Sequence, residues 1–471
     1  MEPDPEPEPG PHACRNCGAL PSTSGTRCAH GGSWHGAYSD CSARCAWGLG
    51  HGRIGQAHWS CCFGTDQSAL CANAPAHSFA AAPAPAPEDA GGPLFARDVP
   101  RYVVDLDAPP EQRWRHVVAD YSDRLPGVIG LADEILGDLG GKIVEPLLAT
   151  AASVGLVHCG DELRGVSEAT GIPLGRVVML QIAYEAFAAC TSIVTEGEDG
   201  HPLHIRTMDW DMPELMPLTI EVVFVRGGQV VFSATTWAGY IGILTGVRPG
   251  GFSVSVNYRR SEGMNEQPLK AFAKNLQRGL ACHWPISFLV RAALEGCGSY
   301  DEACAMFQTE GLIAPTYLTL CGVLPGEGCV LSRDREGCTD GSCVEGRLGS
   351  KPLVQANMDC WRSDRSGPDD DWQDICESRR RRAFALKCLE SVGEGPGKSM
   401  QDLWLLMSLK PTLAHDTVYT VSMVPSTGEL VTRVEVTEAQ TRAARRRYGK
   451  IRVSRREIGT AAAAGGGATR Q

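Results

Sequence analysis

A cysteine, an arginine and an aspartate stand at positions 190, 206 and 209 of the segment CTSIVTEGEDGHPLHIRTMDWD. A thiol beside a guanidinium is a better nucleophile, because nearby positive charge favours the thiolate. A carboxylate close by holds an amine or a substrate group in place. Together the three residue types point to nucleophilic chemistry at Cys190. For that chemistry the chain must fold back on itself, and the sequence reads as two short strands around an acidic, Gly-containing turn. The turn centres near Glu198 and Asp199, so antiparallel pairing is expected to set Cys190 opposite roughly Arg206, with Arg206 and Asp209 flanking the thiol. The plainer reading, a buried core thiol, is the common fate of a cysteine in a chain with 20 of them. The Arg and Asp spacing weighs against it here.

The elements around this hairpin follow from periodicity. Residues 110–190 read mainly as helices, with Ile135, Leu136, Leu139, Ile143, Val144 and Leu147 at three- and four-residue spacing and Gly140-Gly141 interrupting it. After Cys190 the period becomes two: Leu218, Ile220, Val222 and Phe224 alternate before a Gly227-Gly228 turn and a second strand. Ser299 and Glu302 suit a helix capping box. Leu353–Asn357 and a hairpin around Pro425–Gly428 supply further strands. Pattern alone supports an α+β class.

Several segments carry a family resemblance in family order. CTSIV followed by Arg206 and Asp209 resembles the N-terminal-nucleophile amidases of the acid ceramidase and N-acylethanolamine acid amidase group, with penicillin V acylases and bile-salt hydrolases as more distant relatives. YVVDLDAPPEQRW (residues 102–114) is similar to that family's mature amino-terminal strand, and QIAYEAFAAC (residues 181–190) to its cleavage junction. TTWAGYIGILTGVRPGGFSVSVN (residues 235–257), VQANMDCW (354–361) and TVYTVSM (417–423) fit as well. The likeness spans about residues 98–437. It implies a four-layer αββα sandwich, synthesis as an inactive chain, and self-cleavage in which the Cys190 thiol attacks the Ala189 carbonyl.

The freed α-amine of Cys190 would then act as base, having a pKa of about 7.7–8.0. By the same resemblance Asp209 orients that amine, Arg206 stabilises the thiolate, and Asn357 is the oxyanion-hole amide. A later family arginine falls within the run Arg379–Arg382, and Arg382 is taken for it, with Arg381 the neighbouring choice. Tyr258 stands where ceramidases and ethanolamine amidases carry Glu. Penicillin V acylases use a tyrosine as oxyanion donor in a comparable strand, so Tyr258 is a candidate for that role. His201 and His204 read as structural or surface residues. Trp210, Met212, Leu215, Met216, Trp237, Tyr240 and Ile241 are candidates to line an acyl-chain channel, since each buried methylene is worth about 0.8 kcal/mol. The resemblance implies a lipid amide substrate and no cofactor for catalysis.

With 44 Lys and Arg against 55 Asp and Glu, the net charge of −11 argues against a general nucleic-acid binder. No apolar run reaches membrane-spanning length. Peripheral membrane contact is a candidate property of the Ile129–Leu148 helix. The amino terminus MEPDPEPEPGPHAC lacks the basic start and apolar stretch of a signal peptide, and no N-glycosylation sequon occurs. These features lead to an expected cytoplasmic location, unlike the lysosomal animal relatives.

The domain reading assigns residues 1–11 to a disordered acidic tail and 12–79 to a Cys/His-rich module. A Pro-Ala linker covers 80–97, the helical amidase region 98–189, the catalytic region 190–440, and a basic, low-complexity tail 441–471. In the module, Cys14, Cys17, Cys28, His30, Cys61, Cys62, Cys71 and His77 are spaced as zinc ligands, and so little aliphatic content hardly folds without a staple. The pattern resembles CHORD zinc domains, with a shorter first pair and an extra Cys41 and Cys45, and two structural zinc ions are expected. The eight cysteines of this segment also permit disulfides. The module is expected to dock a protein partner. Three readings of the whole chain remain: a cysteine amidase acting on N-acyl lipids, an acyltransferase of the same fold, and a non-enzymatic zinc-module adaptor.

Overall fold

The computed structural model describes residues 34–35, 58–59, 95–125, 144–182, 189–259, 274–275, 277–335, 337, 344–349, 351–359, 373–392 and 398–454. The chain divides into two units, Met1–Gly92 and Pro93–Gln471. In the first, β1 (Trp34–His35) pairs antiparallel with β2 (His58–Trp59). All eight zinc-ligand candidates, Cys14, Cys17, Cys28, His30, Cys61, Cys62, Cys71 and His77, lie outside the described residues.

The second unit is built on two sheets. Its strands are β3 (Arg101–Asp105), β4 (Ala189–Glu196), β5 (Pro202–Asp209), β6 (Thr219–Arg226), β7 (Gln229–Trp237), β8 (Thr245–Arg248) and β9 (Phe252–Tyr258). β10 (Thr316–Cys321), β11 (Gly328–Arg333), β12 (Val344–Arg347), β13 (Leu353–Gln355), β14 (Thr417–Val424) and β15 (Glu429–Arg433) complete the set. One sheet runs β12-β11-β10-β9-β8-β7-β6-β3 and the other β13-β4-β5-β14-β15. The β3–β6 pair is parallel and the other described ladders of these two sheets are antiparallel. The larger sheet buries one face against helices Ile286–Gly296 and Tyr300–Thr309. The smaller sheet buries Ile193, Leu203, Ile205 and Val354 against helices Gln373–Ser391 and Met400–Met407. Helices thus cover the outer face of each sheet, and the sheets face one another.

The two facing sheet surfaces hold Ser192, His204, Ser253, Ser255 and Asn257, all buried. Polar groups sealed in this way must satisfy one another.

Before Cys190 the described helices are Arg115–Ala119, Glu145–Ser153, Gly160–Thr170 and Leu174–Ile182. The Ile129–Leu148 segment expected to meet a membrane lies mostly outside the described residues. Among the described residues no helix is long and apolar enough to cross a membrane. Ser299 caps Tyr300–Thr309 by accepting from the Glu302 N–H, while the Glu302 carboxylate turns to the N–H of Gly298, one residue before the cap.

The stretch expected to be tail from residue 441 starts within a helix. Residues 441–448 complete the helix Glu438–Tyr448, which starts at a Thr437/Gln440 capping box. Gln440, Ala444 and Tyr448 recur every fourth residue and are buried, while Arg442, Arg445, Arg446 and Arg447 face outward. The arginine density masked this one-sided apolar spacing.

A buried ion cluster ties the part of the unit before residue 190 to the part after it. Glu162, on helix Gly160–Thr170, accepts both Arg291 Nη atoms at 2.7 and 2.8 Å, Arg113 at 2.7 Å and the Trp114 indole at 2.6 Å. The Arg291 guanidinium lies over the Trp114 and Phe224 rings. Burial pushes the Glu162 carboxyl up, the arginines pull it down, and the net position is below the ordinary range. Removing one member of such a cluster leaves the others buried without compensation. Glu162→Gln is expected to lower stability by about 3–5 kcal/mol, read from urea unfolding.

Candidate active site

β4 and β5 form the expected hairpin, but two residues out of the expected register. The turn closes at Gly197 and His201, with the Asp199 carboxylate accepting the His201 N–H and Gly200 at φ +81°, a value that disfavours any side chain. Cys190 therefore pairs with Met208, and Arg206 pairs with Ser192. A two-residue shift preserves the strand face, so Arg206 remains on the thiol's side and Nη2 donates to Cys190 Sγ at 3.1 Å. Asp209 lies an odd number of residues from Arg206 and faces the other way. The two therefore do not jointly flank the sulfur.

On the thiol face, between the sheets, Cys190 is fully buried beside Met208, whose Sδ is 3.8 Å from Sγ. The Arg206 guanidinium also donates to the Val256 carbonyl at 2.7 Å and to the Tyr419 hydroxyl at 3.1 Å, and stacks over the Tyr419 ring. Its position is thus fixed by three elements besides its own strand. A donor held this rigidly binds sulfur most strongly when the sulfur is negatively charged.

On the opposite face the backbone of Cys190 is held by two side chains. Asn357 Oδ1 accepts the Cys190 N–H at 2.7 Å, and Asn357 Nδ2 donates to the Tyr258 carbonyl at 3.0 Å. Arg381, from helix Gln373–Ser391, donates to the Cys190 carbonyl at 2.6 Å, the Thr191 hydroxyl at 2.8 Å and Asn357 Oδ1 at 3.0 Å. Its partner is Asp209, at 3.1 Å, whose other oxygen accepts the Thr417 hydroxyl at 2.7 Å. Burial pushes the Asp209 carboxyl above the usual range, against the pull of Arg381 and Thr417.

Two sequence expectations require correction. Arg382 points away from this cluster: its Nε donates to the Val354 carbonyl, and the neighbouring Arg381 occupies the place expected for it. A helix turns 100° per residue, so adjacent arginines cannot share a face. Tyr258 is the second. Asn257 faces the smaller sheet, accepting from Ser192 at 2.7 Å, so strand alternation turns the Tyr258 side chain to the helix-covered face with Val254 and Val256. What Tyr258 contributes at the site is its backbone carbonyl.

His204, expected to be structural or at the surface, is fully buried between the sheets, 3.0 Å from the Ser253 hydroxyl and 2.9 Å from that of Ser255. Burial, with Arg206 nearby, pushes its pKa down to about 3. An unfolded imidazole titrates near 6.5, so in acid the unfolded chain binds the extra proton. The stabilisation is present above pH 6.5 and is lost as pH falls towards 3. The stability difference between wild type and His204→Gln is expected to shrink by about 1.4 kcal/mol per pH unit across that window, measured by urea unfolding from pH 7 to 4.

The chain is 33% identical to the acid ceramidase of Heterocephalus glaber over 351 residues, 70% of this chain and 85% of the relative. It is also 33% identical to the N-acylethanolamine-hydrolyzing acid amidase of Caenorhabditis elegans over 340 residues, 69% of this chain and 88% of that one.

This chain belongs to the acid ceramidase and N-acylethanolamine acid amidase family.

Membership makes it a hydrolase of linear amide C–N bonds. Family profiles agree in their separate spans. The one for the beta subunit of N-acylethanolamine-hydrolyzing acid amidase matches residues 97–156, and that for linear amide C–N hydrolases of the choloylglycine hydrolase family matches 190–339. A solved structure of the Caenorhabditis elegans N-acylethanolamine-hydrolyzing acid amidase ortholog is 31% identical, covering 52% of this chain and 100% of that one at a TM-score of 0.43.

For a member of this family the sequence left Thr417 and Tyr419 without a role and gave Arg381 only as the neighbouring choice to Arg382. In β14, the run TVYTVSM, a register shift between Thr417 and Tyr419 turns the first to Asp209 and the second to Arg206, on opposite faces, which a plain period-two pattern does not show. What was missing was that β14 is the neighbour of β5. The apolar candidates Trp210, Met212, Leu215, Trp237, Tyr240 and Ile241 belong to the same buried cluster as Cys190 and Met208, with Met216 packed against it. Trp237 meets Trp210, Tyr240 and Tyr419 ring to ring.

Proposed function

We propose that this chain matures by cutting the Ala189–Cys190 bond and then hydrolyses N-acyl lipid amides with Cys190. The observation that carries the reading is the Arg206 Nη2–Cys190 Sγ contact at 3.1 Å, joined to the grip of Asn357 and Arg381 on the Cys190 backbone. In maturation the thiol sulfur attacks the Ala189 carbonyl carbon and the bond to the Cys190 nitrogen breaks, the nitrogen gaining a proton. Water then cleaves the thioester, leaving a carboxylate at Ala189 and a free thiol and α-amine at Cys190.

The same sulfur attacks the substrate amide carbonyl. The α-amine passes the thiol proton to the leaving amine and then takes one from the water that releases the acid. Asn357 Oδ1, already on that nitrogen, is placed to orient the amine, and its Nδ2 is the candidate oxyanion donor. Asp209 acts through Arg381, which fixes the Cys190 carbonyl.

The substrate reading rests on the relatives' names, acid ceramidase and N-acylethanolamine-hydrolyzing acid amidase, and on the apolar cluster beside Cys190. Purified wild type incubated with ceramide, N-acylethanolamines and short-chain N-acyl amides is expected to release free fatty acid from the long-chain substrates. Hydrolysis of short-chain amides alone would overturn the lipid assignment. Transfer of the acyl group to an added amine in preference to water would identify an acyltransferase.

For the first unit, the proposal is a structural zinc module that docks a protein partner, with Cys14, Cys17, Cys28, His30, Cys61, Cys62, Cys71 and His77 as ligands. Its support is ligand spacing together with the pairing of Trp34 with Trp59 and His35 with His58 inside the segment. Metal analysis of the reduced, folded full chain is expected to find about two zinc ions per chain, and their absence would remove the module.

A further inference from the structure

The buried polar layer between the sheets has one consistent arrangement of protons. Asn257 Nδ2 lies 3.1 Å from the Gln355 carbonyl and 3.3 Å from that of Ala356. Both are acceptors, so the amide nitrogen faces them and Oδ1 must face Ser192. Ser192 therefore donates to Asn257 Oδ1, at 2.7 Å. A hydroxyl has a single proton, so across the 2.8 Å contact between Ser192 and Ser255 the donor is Ser255. Ser255 has then spent its own proton, and the atom 2.9 Å away, His204 Nε2, must carry a hydrogen. Neutral His204 then has Nδ1 free to accept, from the Ser253 hydroxyl at 3.0 Å. One amide thus dictates the tautomer of a histidine three hydrogen bonds away.

The chain starts at Cys190's own hairpin and ends beside its backbone clamp. Ser192 is two residues past Cys190 on the same strand face, and His204 is on the paired strand β5. Gln355 and Ala356 directly precede Asn357, which accepts the Cys190 N–H. Gln355 is itself tied back, its amide donating to the Ala356 and Met358 carbonyls. The larger sheet enters through β9, which carries Ser253, Ser255 and Asn257 in sequence. Each link is buried from solvent, so no water substitutes for a lost member without a cavity to hold it.

We propose that Ser192, Ser255 and His204 are positioning residues: a one-directional hydrogen-bond chain from His204 Nε2–H to Asn257 that holds the 355–357 segment, and with it Asn357, in register with Cys190. This rests on the reading of Cys190 and Asn357 given above, but the proton order does not depend on it. None of the three residues touches the reacting atoms. Loss of a link lets the Asn257 amide rotate and frees the strand that presents Asn357. The cost falls on the chemical steps, namely self-cleavage and turnover, and leaves acyl-chain binding alone.

Two measurements test the proposal. In uniformly ¹⁵N-labelled full chain carrying Cys190→Ala, long-range ¹⁵N–¹H correlation reports the His204 tautomer, identified by the signals absent from a His204→Gln counterpart. The expected state between pH 5 and 8 is neutral with the proton on Nε2; an Nδ1–H tautomer overturns the proton order whether or not Cys190 is the nucleophile. In otherwise wild-type chain, Ser192→Ala and Ser255→Ala are expected to slow self-cleavage and lower kcat on a long-chain N-acylethanolamine by about tenfold each, with KM within about twofold. Ser192→Thr and Ser255→Thr, which keep the hydroxyl, restore most of the rate.

Thermal unfolding of all four variants separates this from general destabilisation, and Ser255→Ala carries the test if Ser192→Ala does not fold. Alanine variants as fast as wild type, or threonine variants as slow as alanine at equal melting temperature, overturn the positioning role.

Discussion

Cys190→Ala is expected to yield a folded 471-residue chain that is never cut and does not hydrolyse amides. The side chain is small, and its removal leaves the hydrogen bonds of Asn357 and Arg381 intact, because both are made to the Cys190 backbone. The fold should therefore survive. Chemistry should not. Among the groups described on the thiol face none replaces it: Arg206 is a cation, Met208 a thioether, and the Tyr419 hydroxyl is pushed by burial towards its neutral form. A loss of at least about a thousandfold in kcat is expected, on the scale of removing a covalent nucleophile. Cys190→Ser keeps a nucleophile of lower acidity and is expected to cut slowly, which mass spectrometry over hours would detect. Amide hydrolysis by the alanine variant at wild-type rate would show that Cys190 is a buried core thiol after all.

The second large effect separates two neighbouring residues that sequence alone could not. Arg381→Leu removes the buried partner of Asp209 and four further hydrogen bonds, to the Cys190 carbonyl, the Thr191 hydroxyl, Asn357 Oδ1 and the Ser378 hydroxyl. Asp209 is then a buried carboxylate with the Thr417 and Thr207 hydroxyls and no adjacent guanidinium in this cluster. Breaking a buried pair in this way costs about 3–5 kcal/mol. Burial already raises the Asp209 carboxyl, and loss of the cation raises it further. An acid whose folded pKa is raised contributes stability below its unfolded value and loses it as pH rises through the folded value. Arg381→Leu should accordingly be more stable in acid than at neutral pH, while self-cleavage and turnover are lost at both. Arg382→Leu gives up one hydrogen bond to the Val354 carbonyl and is expected to keep activity within about threefold. Denaturant melts and product assays of the two variants side by side decide between them. Equal losses would remove Arg381 from the site.

How far the sequence could be read is best seen at particular residues. Arg206 was legible because the face of a strand depends on parity, and a register error of two residues leaves parity unchanged. Asp209 was legible as a site residue, and its place on the opposite face follows from its odd spacing from Arg206 within β5, which the expectation that both flank the thiol overlooked. Arg381 was not separable from Arg382, since four consecutive arginines erase the amphipathic contrast that would show which one points inward. Tyr258 drew attention as the residue standing where the family carries Glu, whereas alternation along β9 gives the inward place to Asn257. The helix Glu438–Tyr448 was hidden by its arginines, although Gln440, Ala444 and Tyr448 carry the four-residue spacing. The polar layer of Ser192, His204, Ser253 and Ser255 had no signature in one dimension. It depends on two sheets meeting face to face, and only that packing shows the serines to be buried.

The most direct test is the amino-terminal chemistry of the active enzyme. Intact mass and terminal sequencing of freshly purified, catalytically competent protein should find a chain that begins at Cys190 with a free α-amine, alongside a fragment ending at Ala189. Full activity in a chain still continuous through residues 189 and 190, or cut at a different bond, would contradict the account.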